Sequence, residues 1–274
     1  MNDLRFILGM PIPINIDNVD IGKIYPMTME EYALYGDLFG VLNITKTLYL
    51  QQFDMKDTEN RSYIERNVKN FDVVCMNPQF IVMLAQLLAK SFKTDDVKSN
   101  FEGIYKNLYL LNEDKTKDIS ELELIDFFKQ INIYVDGKKI DRDNYDYIRK
   151  MIIKCNGIRL PKQSKNKELQ KWFDKSYDHK KDDTDMEDIL TTVMAYTGYT
   201  PEQIRKTTIY QVNAFIARIN KLKEFDTQIQ CMCAGAEKIK LEPFTKHINL
   251  FEEDKISTSL DEFKQQMGGL LSSK

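Results

Sequence analysis

Between Thr208 and Ile229, the apolar side chains Ile209, Val212, Phe215, Ile216, Ile219, Leu222, Phe225 and Ile229 return every three or four residues. A stripe sustained over more than five turns specifies one long amphipathic helix, which must lie against something apolar. Arg218, Lys221 and Lys223 fall off the stripe. Just upstream, Thr200-Pro201-Glu202-Gln203 supplies an N-cap, a proline at the first helical position and a glutamine that can reach back to the cap. Met186, Ile189, Leu190, Val193 and Met194 form another amphipathic segment that stops at Gly198. The carboxyl half therefore reads as a helical bundle.

The amino half mixes periods. Ile12, Ile14 and Ile16 alternate with polar positions, Asp17-Asn18 offers a turn, and Val19 and Ile21 resume the alternation, predicting a hairpin. A second hairpin is predicted near 132–141, where Asp136-Gly137 accepts the positive φ values of a tight turn between Ile133-Tyr134-Val135 and Lys138-Lys139-Ile140. Thr28 and Glu31 make a capping box ahead of Tyr32, Tyr35, Phe39, Leu42, Tyr49 and Phe53, which read as one long helix with a break near Gly36 or Gly40. Asn77-Pro78 opens a buried helix over Phe80 to Lys90, and Ser120 with Glu123 opens another. Tyr145, Ile148, Met151, Ile152 and Cys155 continue at helical spacing as far as Asn156-Gly157. The expected fold is mainly α, a helical bundle with one or two small β-hairpins. Its expected divisions are a mixed region 1–160, a charged linker or solvated helix over 161–183, a helical region 184–251 and a tail 252–274.

The chemistry is sparse. The 274 residues carry 39 Lys plus Arg against 42 Asp plus Glu, a net charge of −3, and so lack the positive field that nucleic-acid binding usually needs. No glycine-rich phosphate loop, nucleophile elbow or zinc spacing occurs; the histidines, His179 and His247, stand far apart in sequence. Asp141, Asp143 and Asp146 lack the glycine of a calcium loop, and they read, like Asp182 to Asp188, as charge favouring a helix N-terminus. The run Arg159, Lys162, Lys165, Lys167, Lys171 and Lys175 around Trp172 is interleaved with acids and reads as a solvated face. Cys75, Cys155, Cys231 and Cys233 read as reduced thiols. No stretch is long and apolar enough for a membrane span, and no secretory signal opens the chain, so a host-cell cytoplasmic, non-enzymatic protein without cofactor or metal is expected.

Three stretches carry a resemblance: Leu8-Gly9-Met10-Pro11-Ile12, then Gly22-Lys23-Ile24-Tyr25-Pro26-Met27-Thr28, and Tyr196 to Ile204 with Thr208 to Asn213. Together they resemble the tail assembly chaperone-like proteins of tailed bacteriophages and prophages of Gram-positive bacteria. The resemblance implies a chaperone that binds and solubilises the tape measure protein, with the tail tube protein and a second copy of itself as further partners. The candidate contacts are Tyr32, Tyr35 and Phe39 on the first aromatic stripe, Phe215, Ile219 and Leu222 on the long helix, and Leu260, Phe263 and Met267 in the tail, where Ser259 and Glu262 form a further capping box. The alternative is a virion structural component such as a tail or baseplate adaptor.

Overall fold

The computed structural model describes residues 4–54, 56–113, 121–178, 185–236 and 239–250. The chain opens with α1 (Leu4–Ile7) and a hairpin of β1 (Ile12–Ile16) and β2 (Val19–Ile24). Asp17 and Asn18 both have positive φ, 50° and 65°, as a two-residue turn matching strand twist demands. Ile12, Ile14, Ile21 and Ile24 are buried, so the alternation read from the sequence marks the core face of the hairpin.

The expected helix from Tyr32 to Phe53 breaks at Gly36, as read, but beyond the break it does not resume as one element. It is α2 (Met29–Tyr35), a 3-10 segment Gly36–Asn43, α3 (Lys46–Tyr49) and a second 3-10 turn Leu50–Gln52. Gly36, Gly40 and Asn43 are poor helix formers, and Ile44 and Thr45 are extended. Thr45 then caps α3 through its hydroxyl, which accepts from the Leu48 amide. The capping box at Thr28 and Glu31 is present as read.

Next come α4 (Thr58–Asn67), α5 (Asn70–Cys75) and α6 (Pro78–Phe92), the last capped by Asn77 with Pro78 in its first turn. Ile81, Leu84, Leu87 and Leu88 of α6 are buried at the centre of the core, while Val82 remains exposed. This helix packs against the first 3-10 segment, α5, β2 and the second sheet. That sheet contains β3 (Val97–Ser99), β4 (Ile133–Val135) and β5 (Lys138–Ile140), antiparallel throughout, with Asp136-Gly137 at the β4–β5 turn. Strand β3 carries no signal in the sequence: three residues are too few to show a period, and no tight turn marks it as Asp136-Gly137 marks β4 and β5. Between β3 and β4 lie α7 (Phe101–Glu113) and α8 (Glu121–Phe128); Ser120, read as the cap of α8, lies outside the described residues.

Helix α9 (Tyr145–Cys155) follows, ending at Asn156 and at Gly157 with φ of 62°. Its start is near a buried ion pair. Asp72 of α5 is fully buried, and its Oδ2 accepts from the Lys69 amide and from Arg142 Nη2, each at 2.8 Å. Arg142 also donates to the Asn67 carbonyl at 2.6 Å. Burial pushes the Asp72 carboxyl above the usual carboxylate range, outweighing the Lys69 amide and the Arg142 charge.

The segment read as linker or solvated helix contains α10 (Lys167–Asp178), and α11 (Met186–Thr197), α12 (Pro201–Lys206) and α13 (Ile209–Cys233) complete the helices. Asp185 and Asp188 form the capping box of α11, and Gly198, φ 72°, ends it. The Thr200–Gln203 box opens α12 as read, but a second box, Thr208 with Gln211, starts α13 anew. The mainly α fold with two small antiparallel sheets is as expected from sequence.

One apolar cluster runs from Phe6, Ile14 and Leu84 through Ile148 to Val193, Val212, Ile219 and Leu250, and so joins the amino and carboxyl regions. Backbone bonds stitch the same seam. Thr28 and Thr208 form an isolated antiparallel bridge, the Met29 amide donates to the Thr207 carbonyl at 2.8 Å, and the Ile209 amide donates to the Met27 carbonyl at 3.2 Å. Thus α2 and α13 both start from one two-stranded contact. Asn156, fully buried, accepts the Met27 amide at 2.7 Å, and Gln211 donates to the Ile7 carbonyl at 2.7 Å.

Candidate partner-binding face

Helix α13 is two things along its length. Ile209, Tyr210, Val212 and Ile219 are buried, and Phe215 and Ile216 pack half-buried on the core. Beyond Ile219, no residue of α13 belongs to an apolar cluster, so Asn220 to Cys233 project some 21 Å past it at the rise of an α-helix. That outer half keeps the stripe predicted from the sequence. Leu222 and Phe225 are half-buried, and Ile229 and Met232 are exposed.

Aromatic rings flank it. On one side Tyr199 stands edge-on to Phe215, ring centroids 5.9 Å apart, and Tyr196 at the end of α11 lies under Lys223 at 5.3 Å. On another, Phe225 meets Phe244 edge-on at 5.4 Å. Phe244 belongs to an irregular strap, 239–250, that runs back along the helix. The Glu242 amide donates to Gln228 Oε1 at 3.1 Å, Arg218 donates to the carbonyls of Phe244 and Lys246, and Leu250 ends buried in the core. Glu242 bridges Lys246 and Lys221; its hydrogen bond from Lys246, then the charges of both lysines, hold its carboxyl below the usual range. Of the cations that fall off the stripe, Arg218 and Lys221 fasten the strap and Lys223 sits over one face of the Tyr196 ring, while Tyr196, Tyr199, Ile229, Met232, Leu241 and Phe244 remain exposed apolar surface.

Of the residues singled out by sequence, Phe215, Ile219 and Leu222 share α13, but Ile219 is buried in the core. Tyr32 and Phe39 meet at 6.1 Å, with Phe39 buried, while Tyr35 sits under Lys90 at 4.5 Å. The break after Tyr35 divides the aromatic stripe, and Tyr49 and Phe53 pack on a separate small cluster. Leu260, Phe263 and Met267 lie outside the described residues. Sequence reasoning passed over Leu241 and Phe244, which sit in a short irregular segment with no period to display them.

A cleft of about 310 Å³ between α3, α5 and α6 is lined by Ile44, Thr45, Leu48, Tyr49, Gln52, Val73, Met76, Asn77 and Phe80, with no acid, imidazole, amine or thiol among them. Burial pushes the thiols of Cys75 and Cys155 far up, away from the thiolate a nucleophile needs, whereas Cys231 and Cys233 are exposed on α13. Asp141 accepts from the amides of Asp143 and Asn144 and pairs with Lys139, and Asp143 pairs with Lys69, so these acids organise the start of α9. No group of three or more metal-ligating side chains occurs among the described residues. Among them, too, no helix is long and apolar enough to cross a membrane.

Residues 178–249, from the end of α10 through the strap, match the family described as YomV second domain. The chain is similar over nearly its whole length to a prophage-derived protein. This is the SPbeta prophage-derived uncharacterized protein YomV of Bacillus subtilis (strain 168), 25% identical over 279 residues that cover 98% of this chain and 100% of the relative. No solved structure matches. The matched region thus contains α11, α12, α13 and the strap, the elements that build the aromatic face.

Proposed function

We propose that this protein is a non-enzymatic phage tail assembly chaperone, acting in the host-cell cytoplasm, that binds and solubilises the tape measure protein. The observation that carries the reading is the outer half of α13. A helix that extends past its own core with Leu222, Phe225, Ile229 and Met232 in line, and Phe244 and Tyr199 beside them, is suited to take up the apolar side of another helix. The full-length similarity to a prophage protein supports a phage setting. The lysine-glutamate pairs at the rim, Lys221 with Glu242 and Glu224, give such a face a polar border.

Co-expression with the long helical protein encoded beside it tests this. The neighbour should become soluble and copurify, and Ile229→Lys with Met232→Lys should abolish copurification while leaving the thermal midpoint unchanged. An insoluble neighbour, together with detection of this chain in finished virions by mass spectrometry, would replace the chaperone by a structural component of the tail.

A further inference from the structure

Helix α10 is the element whose existence its own packing does not explain. Neither apolar cluster contains any of its described side chains, 167–175; Leu169 is exposed, Trp172 is 43% exposed, and Phe173 lies half-buried against Trp172 with ring centroids 5.6 Å apart. A helix of only 12 residues is marginal in water without tertiary support. Its foot is nonetheless fixed. Asn166 accepts the amides of Glu168 and Leu169, Gln170 accepts the Ser164 amide and receives a hydrogen bond from Gln51, and Lys165 pairs with Glu65 at 2.9 Å. The fold therefore holds out a short apolar face, Leu169, Trp172 and Phe173, on a rigid base. The segment that carries it is basic: five lysines lie between Lys162 and Lys175, of which Lys165 pairs with Glu65 and Lys171 with Glu168, against the two carboxylates of Glu168 and Asp174.

We propose that this face is the docking site of the protein's own C-terminal segment, residues 252–274. The segment has the complementary pattern. Between Glu252 and Glu262 it carries five carboxylates and one lysine, and Leu260, Phe263 and Met267 recur at positions that share one side of a helix. The chain leaves the described body at Leu250, which is buried, so the segment is tethered at its root. The nine residues from 251 to 259 can span roughly 30 Å, and a tether of that length confers millimolar effective concentration on a weak contact. Apolar pairing would supply the attraction and the lysines the polarity, since acidic residues meet the basic rim of α10.

Trp172 is the single tryptophan of the chain, so its emission reads the covering of α10 directly. The full chain should show shielded emission. Ending the chain at Leu250 should shift the emission to the red and raise acrylamide quenching several-fold, with the far-ultraviolet circular dichroism otherwise retained, and a synthetic peptide of residues 252–274 should reverse both. In the full-length chain, Leu260→Asp with Phe263→Asp should reproduce the truncation, and salt should weaken the shielding. Identical emission and quenching in full-length, truncated and doubly substituted chains would overturn the proposal. Shielding that rises with protein concentration and survives truncation would assign the face to a second copy instead. Shielding that requires anionic vesicles would assign it to a lipid surface.

Discussion

Replacing Arg142 with alanine tests its ion pair with the buried Asp72. In the wild type Asp72 Oδ2 has two donors, the Lys69 amide and the guanidinium, and Oδ1 has no hydrogen-bond partner. Without Arg142 the fully buried carboxylate must either remain charged and unpaired or take up a proton. Protonation sets the ceiling. From an ordinary carboxylate pKa of about 3.9 up to pH 7 is roughly three units at about 1.4 kcal/mol each, so the part of the penalty that comes from charge cannot exceed about 4 kcal/mol. Asp72 already titrates above its ordinary range in the wild type, which already bears part of that cost, so we expect about 3 kcal/mol at pH 7. The sign follows from proton binding. In the variant the folded state holds the Asp72 proton at pH values where the unfolded chain has released it, so stability falls as pH rises. On acidification towards pH 4 the penalty should shrink to about 1 kcal/mol, the worth of the lost hydrogen bonds. Urea unfolding of both proteins at pH 4.5, 5.5 and 7.0 measures this. Combining Arg142→Ala with Asp72→Asn should remove the pH dependence. A penalty equal at all three pH values, or one that grows on acidification, would refute the assignment of Arg142 as the counter-charge.

Asn156→Ala should leave the buried Met27 amide without an acceptor and cost about 2 kcal/mol in urea unfolding, more than an exposed asparagine would. Thr208→Ala should cost about 1 kcal/mol through loss of the α13 cap, and Thr208→Ser should restore most of it. For partner binding, Phe244→Ala should weaken affinity by at least about 1.4 kcal/mol, a tenfold rise in Kd by calorimetry, with little change in thermal midpoint because the ring is partly exposed.

Local chemistry was legible wherever the sequence concentrates it in adjacent residues. Asp17-Asn18, Asp136-Gly137, Thr28 with Glu31 and Gly198 all occupy the turns and caps that their side chains or backbone freedom suggest. The stripe of α13 marked a helix correctly, yet a period says only which residues share a side, not what covers them. It could not distinguish Ile219, buried under the core, from Ile229, which stands in solvent. The aromatic stripe from Tyr32 misled for the opposite reason: its spacing suits a helix, but Gly36, Gly40 and the extended Ile44-Thr45 divide it into separate turns. Leu241 and Phe244 were invisible because the strap is held by Arg218 and Gln228 from another element, a tertiary relation no local window contains.

The seam between Met27 and Ile209 also sets a timetable for synthesis. Gln211 closes on Ile7 across 204 positions, and Phe6 finds Tyr210, ring centroids 5.4 Å apart, over the same span. At 5–20 residues per second a ribosome needs roughly 10 to 40 s to deliver the later partner after the earlier one. For that interval α1 and the start of α2 lack the part of their cover that α13 supplies. Closure of this seam, unlike that of a local hairpin such as β1–β2, waits for the 204 positions between Ile7 and Gln211 to be synthesised, and each translational pause in between prolongs the wait.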